Sequence, residues 1–322
     1  MALPSESEAE MVRVAVWGAS GFIGGHIAAS LSGRGHYVRG LTRHSATSAP
    51  RMACSETRVL DFSASMDSLC RALEGMACAI YCAGLTHSGD DDQREYVASV
   101  RNMANASASC GLDRFILLSS VAVYGSRPVG PVGVEAELNP DTPYGRSRKL
   151  AEDMAREALS ASNTSLTIFR VPAVVGADMR SDVLRRVFRS LRSGVFLHPG
   201  SSESVFPCVG VNRLATCVAV VAEAKTSPVP PVVQLCDCFR WTDLTKQCAS
   251  QTGRGHIRIG LPGKAVRLLC RILGLDLARS IAVLDGRVCY EDNSGVLTMK
   301  NQFPDTLEDI RELIGQQGLS VK

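Results

Sequence analysis

The sequence lacks several features that would indicate particular classes of protein. No apolar run approaches the roughly 20 residues that a membrane-spanning helix needs, so we predict no membrane span. The net charge at pH 7 is only +3, which offers a nucleic acid little electrostatic attraction, so we predict no nucleic-acid partner. Hydrophobic residues make up 45% of the chain, enough for an ordinary globular core.

The cysteines lack the spacing of a metal site. Twelve are scattered through the 322 residues without a CxxC pair or a Cys/His cluster at zinc spacing, and Cys236 and Cys238 are only two positions apart. The segment MALPSESEAE has neither the basic flank nor the apolar stretch of a signal peptide. We therefore predict a disordered lead-in over residues 1–10, reduced cysteines that pack as small apolar residues, a cytoplasmic location and no metal.

Strand-like and helix-like segments alternate through the first half of the chain. The β-branched run MVRVAVW precedes GFIGGHIAASLSGRG, which has helical periodicity, and the alternation continues as far as SLTIFRVPAVVG. Strands that alternate with helices of this length form parallel βαβ units. The sequence therefore predicts an α/β fold with a doubly wound parallel sheet, which binds ligands beyond the carboxyl ends of its strands.

Three glycines follow the first predicted strand directly and open the first helix. Gly18, Gly21 and Gly24 have the spacing GxxGxxG in the segment WGASGFIGG. Glycine allows a sharp turn and lets backbone N–H groups approach a pyrophosphate at a helix N-terminus. A tight βα turn without a ligand is the alternative. We favour a dinucleotide site, formed by the three glycines with their neighbours Ser20, Phe22 and Ile23.

The end of the second predicted strand bears on the choice of dinucleotide. NAD-binding proteins usually place a carboxylate there for the ribose hydroxyl, whereas an arginine suits the 2′-phosphate of NADP. The segment GLTRHS has Arg43 and no carboxylate. We predict NADP as the preferred cofactor, with NAD as the alternative, and Arg43 as the phosphate contact. A solvated strand-end charge would explain Arg43 equally simply.

Several segments together carry a family resemblance. VAVWGASGFIGGHI, VLDFS, YCAG, RFILLSSVAVYG, TPYGRSRKLAE and FRVPAVVG resemble segments of the extended short-chain dehydrogenase/reductases, the NAD-dependent epimerase/dehydratase family. The resemblance covers nearly the whole chain after the first ten residues and implies a Rossmann fold. It also implies further cofactor contacts at Asp61, Phe62, Cys82, Ala83, Gly84 and Pro172.

The resemblance implies a catalytic serine at Ser120 and a catalytic tyrosine at Tyr144. A tyrosine phenol ordinarily ionises near pH 10, and a cation one helical turn away favours its phenolate. This family keeps a lysine four residues after the tyrosine, where this chain has Arg148, and its Lys149 comes one residue later. At about 100° per residue, Arg148 shares the face of Tyr144 and Lys149 points elsewhere.

Arg148 leaves two outcomes open. A guanidinium keeps the positive charge but differs from an ammonium in bulk and in its hydrogen-bonding geometry. The chain is then either a slower or retuned enzyme or an NADP-binding regulatory protein that has lost turnover. We favour the enzyme, with Ser120, Tyr144 and Arg148 as catalytic residues and with Tyr144 and Arg148 also contacting the cofactor.

The second half of the chain resembles the region that closes over substrate in relatives acting on nucleoside-diphosphate sugars. The resemblance implies a dinucleotide domain over residues 11–172, to which a strand and helix near residues 205–225 return. A smaller α/β substrate domain then spans residues 173–322. In the family segment that usually reads Val-His-Val-Asp-Asp, this chain has Gly210, Asn212 and Arg213 in place of the polar residues.

Within this group the chain looks most like the 4-epimerases and 4-keto reductases of cell-surface polysaccharide pathways. Such relatives commonly form homodimers, so the resemblance also implies a homodimer. A reductase or dehydrogenase of another carbonyl, such as a steroid or a phenylpropanoid, is the second enzymatic alternative. The candidate substrate contacts are Thr86, Ser120, Arg185 and Arg189, although the two arginines also fit a solvated basic helix face.

Overall fold

A computed structural model of the 322-residue chain provides the structure. It describes residues 11–43, 53–84, 90–125, 131–179, 185, 195–199, 204–224, 229–253, 257–261, 288–297 and 303–315. The predicted lead-in, Thr86 and Arg189 lie outside these residues.

Twelve strands form three sheets in the described part of the chain. They are β1 (Arg13–Trp17), β2 (Tyr37–Thr42), β3 (Glu56–Val59), β4 (Cys78–Tyr81), β5 (Arg114–Ser120), β6 (Ser165–Val171), β7 (Ala173–Val175), β8 (Val195–Pro199), β9 (Val205–Gly210), β10 (Val232–Gln234), β11 (Asp237–Arg240) and β12 (Ile257–Leu261).

The largest sheet has seven strands in the order β10-β6-β5-β4-β1-β2-β3. Strand β1 pairs in parallel with both β2 and β4, with Arg13 opposite Tyr37 and Val14 opposite Cys78. Strands β1, β4 and β5 are almost continuously apolar and buried, as expected of parallel strands that are covered on both faces. The prediction of a doubly wound parallel sheet is confirmed.

Seven α-helices have described bounds. They are α1 (Phe22–Gly33), α2 (Met66–Leu73), α3 (Asp90–Ser109), α4 (Pro143–Leu159), α5 (Val211–Glu223), α6 (Trp241–Thr252) and α7 (Thr306–Gly315). The first four connect successive strands of the parallel sheet, which is the βαβ arrangement that the sequence predicts. No helix of the described residues is long and apolar enough to cross a membrane.

The strand predicted near residues 205–225 lies outside the seven-stranded sheet. This strand is β9, which lies between β7 and β11 in a three-stranded sheet. Strand β10 occupies the outer edge of β6 instead, with Val232 opposite Ile168. Strand β7 begins directly after Pro172. Its three residues pair with β9.

The described residues divide into two compact units. Unit 1 falls within Met1–Leu117, Asp153–Thr167 and Val218–Val229. Unit 2 falls within Leu118–Glu152, Ile168–Cys217 and Pro230–Lys322. The predicted functional division at residue 172, into a cofactor domain and a substrate domain, stays a prediction.

The prediction that all cysteines are reduced is wrong for one pair. Cys238 and Cys289, separated by 51 residues, form a disulfide with their Cα atoms 5.9 Å apart. Their spacing along the chain carries no signal for this pair, because only the folding of unit 2 brings them within bridging distance. Five of the other described cysteines are buried as small apolar residues, as predicted: Cys78, Cys208, Cys217, Cys236 and Cys248.

Candidate active site

The glycine loop between β1 and α1 is packed too closely to admit side chains. Gly18 has a φ of +94°, and a Cβ atom placed on it would lie 2.8 Å from the backbone nitrogen of Ala83. A Cβ atom on Gly24 would lie 2.2 Å from the carbonyl oxygen of Gly18 and 2.9 Å from the Sγ atom of Cys82. The structure therefore brings the predicted residues Gly18, Gly24, Cys82 and Ala83 together.

The N-terminus of α1 is open to an anion. Its N-cap is Gly21, which provides no side-chain cap, and its first turn contains no acidic residue. The first backbone N–H groups of a helix have no partner within the helix and attract negative charge. Ser20, Phe22 and Ile23 are half-buried at this end of the helix. This open helix end and the close glycine packing fit the pyrophosphate of a dinucleotide.

The end of β2 holds an arginine against an aromatic ring. Arg43 is exposed, and its guanidinium lies 5.1 Å from the ring centroid of Phe62. The Phe62 ring is buried and stacks with Trp17 at 6.2 Å between centroids. The Asp61 carboxylate accepts hydrogen bonds from the Ser63 hydroxyl and backbone N–H, which hold the pKa of Asp61 below its usual value. Gly84 is exposed beyond the end of β4.

Tyr144 and Arg148 contact each other on the first turns of α4. The Arg148 guanidinium lies 4.8 Å from the Tyr144 ring centroid, in cation–π geometry. Arg148 is only 7% exposed, whereas Tyr144 is 39% exposed. The helical spacing predicts this shared face, and the structure places the two side chains accordingly. An exposed phenol backed by a buried cation is an arrangement that can exchange a proton with a ligand.

Ser120 lies at the carboxyl end of β5 and caps the 3₁₀ turn Val121–Tyr124. Its Oγ atom accepts a hydrogen bond from the backbone N–H of Ala122 at 3.2 Å. A Cβ atom on Gly145 would lie 2.5 Å from the carbonyl oxygen of Ala122. The residue after Tyr144 therefore packs directly against the turn that Ser120 begins, and both belong to unit 2.

A buried network next to these residues was not predicted. Glu152 is completely buried and forms an ion pair with Arg170, the arginine of the Arg-x-Pro segment, at 2.8 Å. The Ser119 hydroxyl donates to the same carboxylate at 2.6 Å. Burial works against the charge of Arg170, but Glu152 more than offsets it, so the pKa of Arg170 is raised. The sequence does not distinguish Glu152 from the other carboxylates of α4, because its burial appears only in the folded chain.

The remaining described candidates, Arg185 and Pro172, both belong to unit 2. Arg185 is helical and half-buried, and Pro172 directly follows β6. The described residues contain no group of three His, Cys, Asp or Glu side chains that could hold a metal ion.

The segment that departs from the family pattern is part of a structural network in unit 2. Asn212 donates its side-chain amide to Asp309 at 2.7 Å. Arg213 pairs with Asp237 and Asp292. Glycine at position 210 leaves room for the Asp309 side chain, because a Cβ atom there would lie 2.2 Å from Asp309 Oδ2. These contacts tie β9 and α5 to their neighbours, which accounts for the altered residues without a catalytic role.

Comparisons with known proteins show which sequences this chain resembles. The model of the NAD dependent epimerase/dehydratase family matches residues 14–236. The UDP-glucose 4-epimerase of Vibrio cholerae is 27% identical over 217 residues, which cover 62% of this chain and 65% of that protein. The UDP-glucose 4-epimerase of Azospirillum brasilense is 33% identical over 88 residues, 27% of this chain and 25% of that one. The chain thus spans less than two thirds of the length of these curated relatives.

Solved structures share the fold at low sequence identity. MoeE5 in complex with UDP-glucose and NAD has a TM-score of 0.72 at 18% identity, covering 94% of this chain and 97% of that one. The UDP-glucuronic acid 4-epimerase of Bacillus cereus, in complex with NAD, has a TM-score of 0.70 at 17% identity, covering 94% and 96%.

Proposed function

Because the chain belongs to the NAD dependent epimerase/dehydratase family, we propose that it transfers a hydride at C4 of a nucleoside-diphosphate sugar. The observation that carries this proposal is the pairing of Tyr144 with Arg148 on α4, beside the turn that begins at Ser120. An exposed phenol, a buried cation and a hydroxyl are the groups that proton exchange with a sugar hydroxyl requires.

Unit 1 supplies most of the residues that would hold the dinucleotide, and the candidate contacts Tyr144, Arg148 and Pro172 belong to unit 2. The backbone of the glycine loop and the open N-terminus of α1 would bind the pyrophosphate. Asp61 and Phe62 would lie at the adenine, and Cys82, Ala83 and Gly84 would follow the cofactor beyond β4. A bound nicotinamide supplies the carbon that accepts and returns a hydride.

Tyr144 would exchange a proton with O4 of the sugar. The Tyr144 oxygen would take the proton of the O4 hydroxyl during oxidation at C4 and would return that proton when the ketone is reduced again. Arg148 would contribute its positive charge, which lies 4.8 Å from the centroid of the Tyr144 ring. The Ser120 hydroxyl would orient the substrate oxygen by a hydrogen bond. An epimerase returns the hydride to the opposite face of the sugar, whereas a 4-keto reductase consumes external NADPH.

We propose NADP as the preferred dinucleotide because of Arg43. Its exposed guanidinium lies beside the Phe62 ring at the end of β2, where a 2′-phosphate would be recognised. The solved relatives described above are in complex with NAD, so both dinucleotides belong in the test.

The substrate, the assembly and the location complete the proposal. UDP-sugars are the substrate class that the named relatives suggest. Thr86, Arg185 and Arg189 are the proposed additional substrate contacts. A homodimer and a cytoplasmic location also stay proposals. The Cys238–Cys289 disulfide weighs against the cytoplasm, because disulfides seldom persist there.

A second candidate function is a non-catalytic NADP-binding regulator. The arginine at position 148 favours it, since a planar guanidinium stacked on the phenol is a different group from a compact ammonium. This alternative predicts dinucleotide binding without turnover.

The experiment is a thermal-shift titration of the full chain with NADP, NAD and UDP, followed by a turnover assay with UDP-glucose and UDP-galactose. We expect a dinucleotide and UDP each to raise the melting temperature, since ligands of the native state stabilise it. We also expect the two sugars to interconvert or to support dinucleotide reduction. A response to dinucleotide alone, without turnover, would favour the regulator or an enzyme for another carbonyl.

A further inference from the structure

The carboxylate of Glu152 is buried in an ion pair on the same helix as Tyr144 and Arg148. Glu152 is the eighth residue after Tyr144 on α4, and its side chain is completely inaccessible to solvent. Burying a carboxylate with a guanidinium costs desolvation that their attraction barely offsets, and apolar residues often serve as well. A fully buried ion pair beside candidate catalytic residues therefore suggests a requirement for defined geometry.

Glu152 joins three elements of unit 2 through its two oxygen atoms. Oε1 accepts hydrogen bonds from the Ser119 hydroxyl at 2.6 Å and from Arg170 Nε at 3.1 Å. Oε2 accepts a hydrogen bond from Arg170 Nη2 at 2.8 Å. This bidentate arrangement connects the end of β5, helix α4 and strand β6 in one orientation.

The contact with Ser119 determines where Ser120 points. Side chains of successive strand residues project to opposite faces, so a Ser119 hydroxyl directed to Glu152 sends Ser120 the other way. Ser119 is buried, whereas Ser120 is partly exposed and accepts the Ala122 N–H. A shift at Ser119 would therefore move the Ser120 hydroxyl with it.

The same ion pair also holds the far end of the turn. Arg170 Nη1 donates to the Tyr124 hydroxyl at 2.9 Å and to the Val134 carbonyl at 3.1 Å. The Tyr124 hydroxyl in turn donates to Gln234 Oε1 at 2.8 Å. Tyr124 is the last residue of the turn that Ser120 begins, so Glu152 and Arg170 anchor both of its ends.

We infer that Glu152, acting through Ser119, is a positioning residue for the Ser120 hydroxyl. The role assigned to Ser120 rests on the proposed function, but the positioning itself is a property of the fold. Removing Glu152 would leave Arg170 buried without its partner, which can unfold a protein. The informative variant is Ser119→Ala, which removes only the hydroxyl and leaves the ion pair in place.

The first measurement is hydrogen–deuterium exchange of the segment 118–125 in the full chain. The Ala122 amide donates to Ser120 Oγ, so its exchange reports the position of that hydroxyl without any assay of activity. We expect Ser119→Ala to speed this exchange about tenfold. The matched control is Ser107→Ala, which removes another fully buried serine hydroxyl, bonded to the Met103 carbonyl at 2.8 Å on α3.

The second measurement is a double-mutant cycle on kcat with Ser120→Ala. We expect Ser119→Ala to lower kcat about tenfold in the wild-type background and by less than about twofold in the Ser120→Ala background. A purely structural role would reduce kcat equally in both backgrounds.

Unchanged exchange in Ser119→Ala, or the same acceleration in Ser107→Ala, would overturn the inference whatever the activity. An equal fold reduction of kcat by Ser119→Ala in the wild-type and Ser120→Ala backgrounds would overturn it as well. Altered exchange in a protein without sugar turnover would refute the proposed function and leave the positioning role standing.

Discussion

The glycine loop (residues 18–24) and the tyrosine region (residues 119–124, 144–152 and Arg170) are held in place by opposite kinds of contact. Between β1 and α1 the structure depends on the absence of side chains, since a Cβ atom on Gly24 would lie 2.2 Å from a carbonyl oxygen. Around Tyr144 it depends on buried charged side chains, with Glu152 and Arg170 paired at 2.8 Å. We therefore expect the loop to be disrupted by substitutions that add a side chain. We expect the tyrosine region to be disrupted by substitutions that remove one.

The two regions also differ in how far apart their components lie along the chain. The loop residues lie within seven consecutive positions, Gly18 to Gly24. The network around Ser120 joins residues 33 and 18 positions apart, Ser119 to Glu152 and Glu152 to Arg170. A local steric requirement produces a sequence motif, whereas a long-range electrostatic requirement does not.

The largest expected effect is that of Gly24→Ala on dinucleotide affinity. The added methyl group would meet backbone atoms that cannot move away, so the loop must open. We expect the affinities for NADP and NAD to fall about 100-fold. Titration monitored by fluorescence of Trp17, which immediately precedes the loop, measures both.

The matched control is Gly33→Ala at the other end of α1, where a Cβ atom would have no neighbour within 4 Å. Affinity in this variant should equal that of the wild type. Equal losses in the two variants would show that the effect comes from the helix and not from close packing of the loop.

The next effect concerns Arg148 and catalysis. If its positive charge supports proton exchange at Tyr144, Arg148→Ala should lower kcat by roughly 100-fold, and Arg148→Lys should keep or raise it. Steady-state assays of the sugar reaction measure both variants. Arg146→Ala, an exposed arginine on the same helix, serves as the control. Equal activity in wild type, Arg148→Lys and Arg148→Ala would refute the electrostatic role.

A smaller effect is expected for Gly145→Ala, which tests a steric requirement inside the tyrosine region. The new Cβ atom would lie 2.5 Å from the Ala122 carbonyl oxygen and push α4 away from the Ser120 turn. We expect kcat to fall about tenfold, with a smaller loss of dinucleotide affinity, because Tyr144 and Arg148 are also candidate cofactor contacts. A loss of affinity without a change in kcat would mean that the two regions are not separable in this way.

The smallest expected effect concerns the pH dependence of stability. It compares two buried carboxylates of unit 2. Glu152 is paired with a cation, whereas Asp309 accepts hydrogen bonds from the neutral donors of Asn212. Burial raises the pKa of Asp309 to about 6. A carboxyl group with a raised folded-state pKa contributes stability that is complete below its unfolded pKa near 4 and is lost as the pH rises through 6.

We therefore expect the free energy of unfolding of Asp309→Asn, relative to that of the wild type, to increase by on the order of 1 kcal/mol from pH 4.5 to pH 7.5. Urea unfolding at the two pH values measures the difference. A stability difference between wild type and variant that does not change with pH would contradict the raised pKa.

The fold was predictable where apolar periodicity is strong. The buried strands β1, β4 and β5 and their connecting helices follow the alternation of the sequence. Strand β3 was not predicted, because its four residues ETRV are only half-buried at the edge of the sheet and carry a weak apolar signal. The partners of β9 and the Cys238–Cys289 disulfide were also beyond the sequence, because both depend on how distant segments of unit 2 meet.

Within the candidate site, predictability follows the distance between partners along the chain. The spacing of Tyr144 and Arg148 on one helix is sufficient to predict that they share a face. Gly145 resembles an ordinary helix residue in the sequence, and its close contact with Ala122 appears only in the folded chain. Glu152 likewise reads as one of many surface carboxylates until its burial is known.

By itself, the sequence determined the parallel sheet, the glycine loop and the helical face shared by Tyr144 and Arg148. Each of these follows from local periodicity or from the conformational freedom of glycine. The tertiary structure alone decided the pairing of Glu152 with Arg170 and Ser119, the partners of β9 and the disulfide. These contacts join residues far apart in the chain, and apolar burial brings them together without any local pattern to mark them.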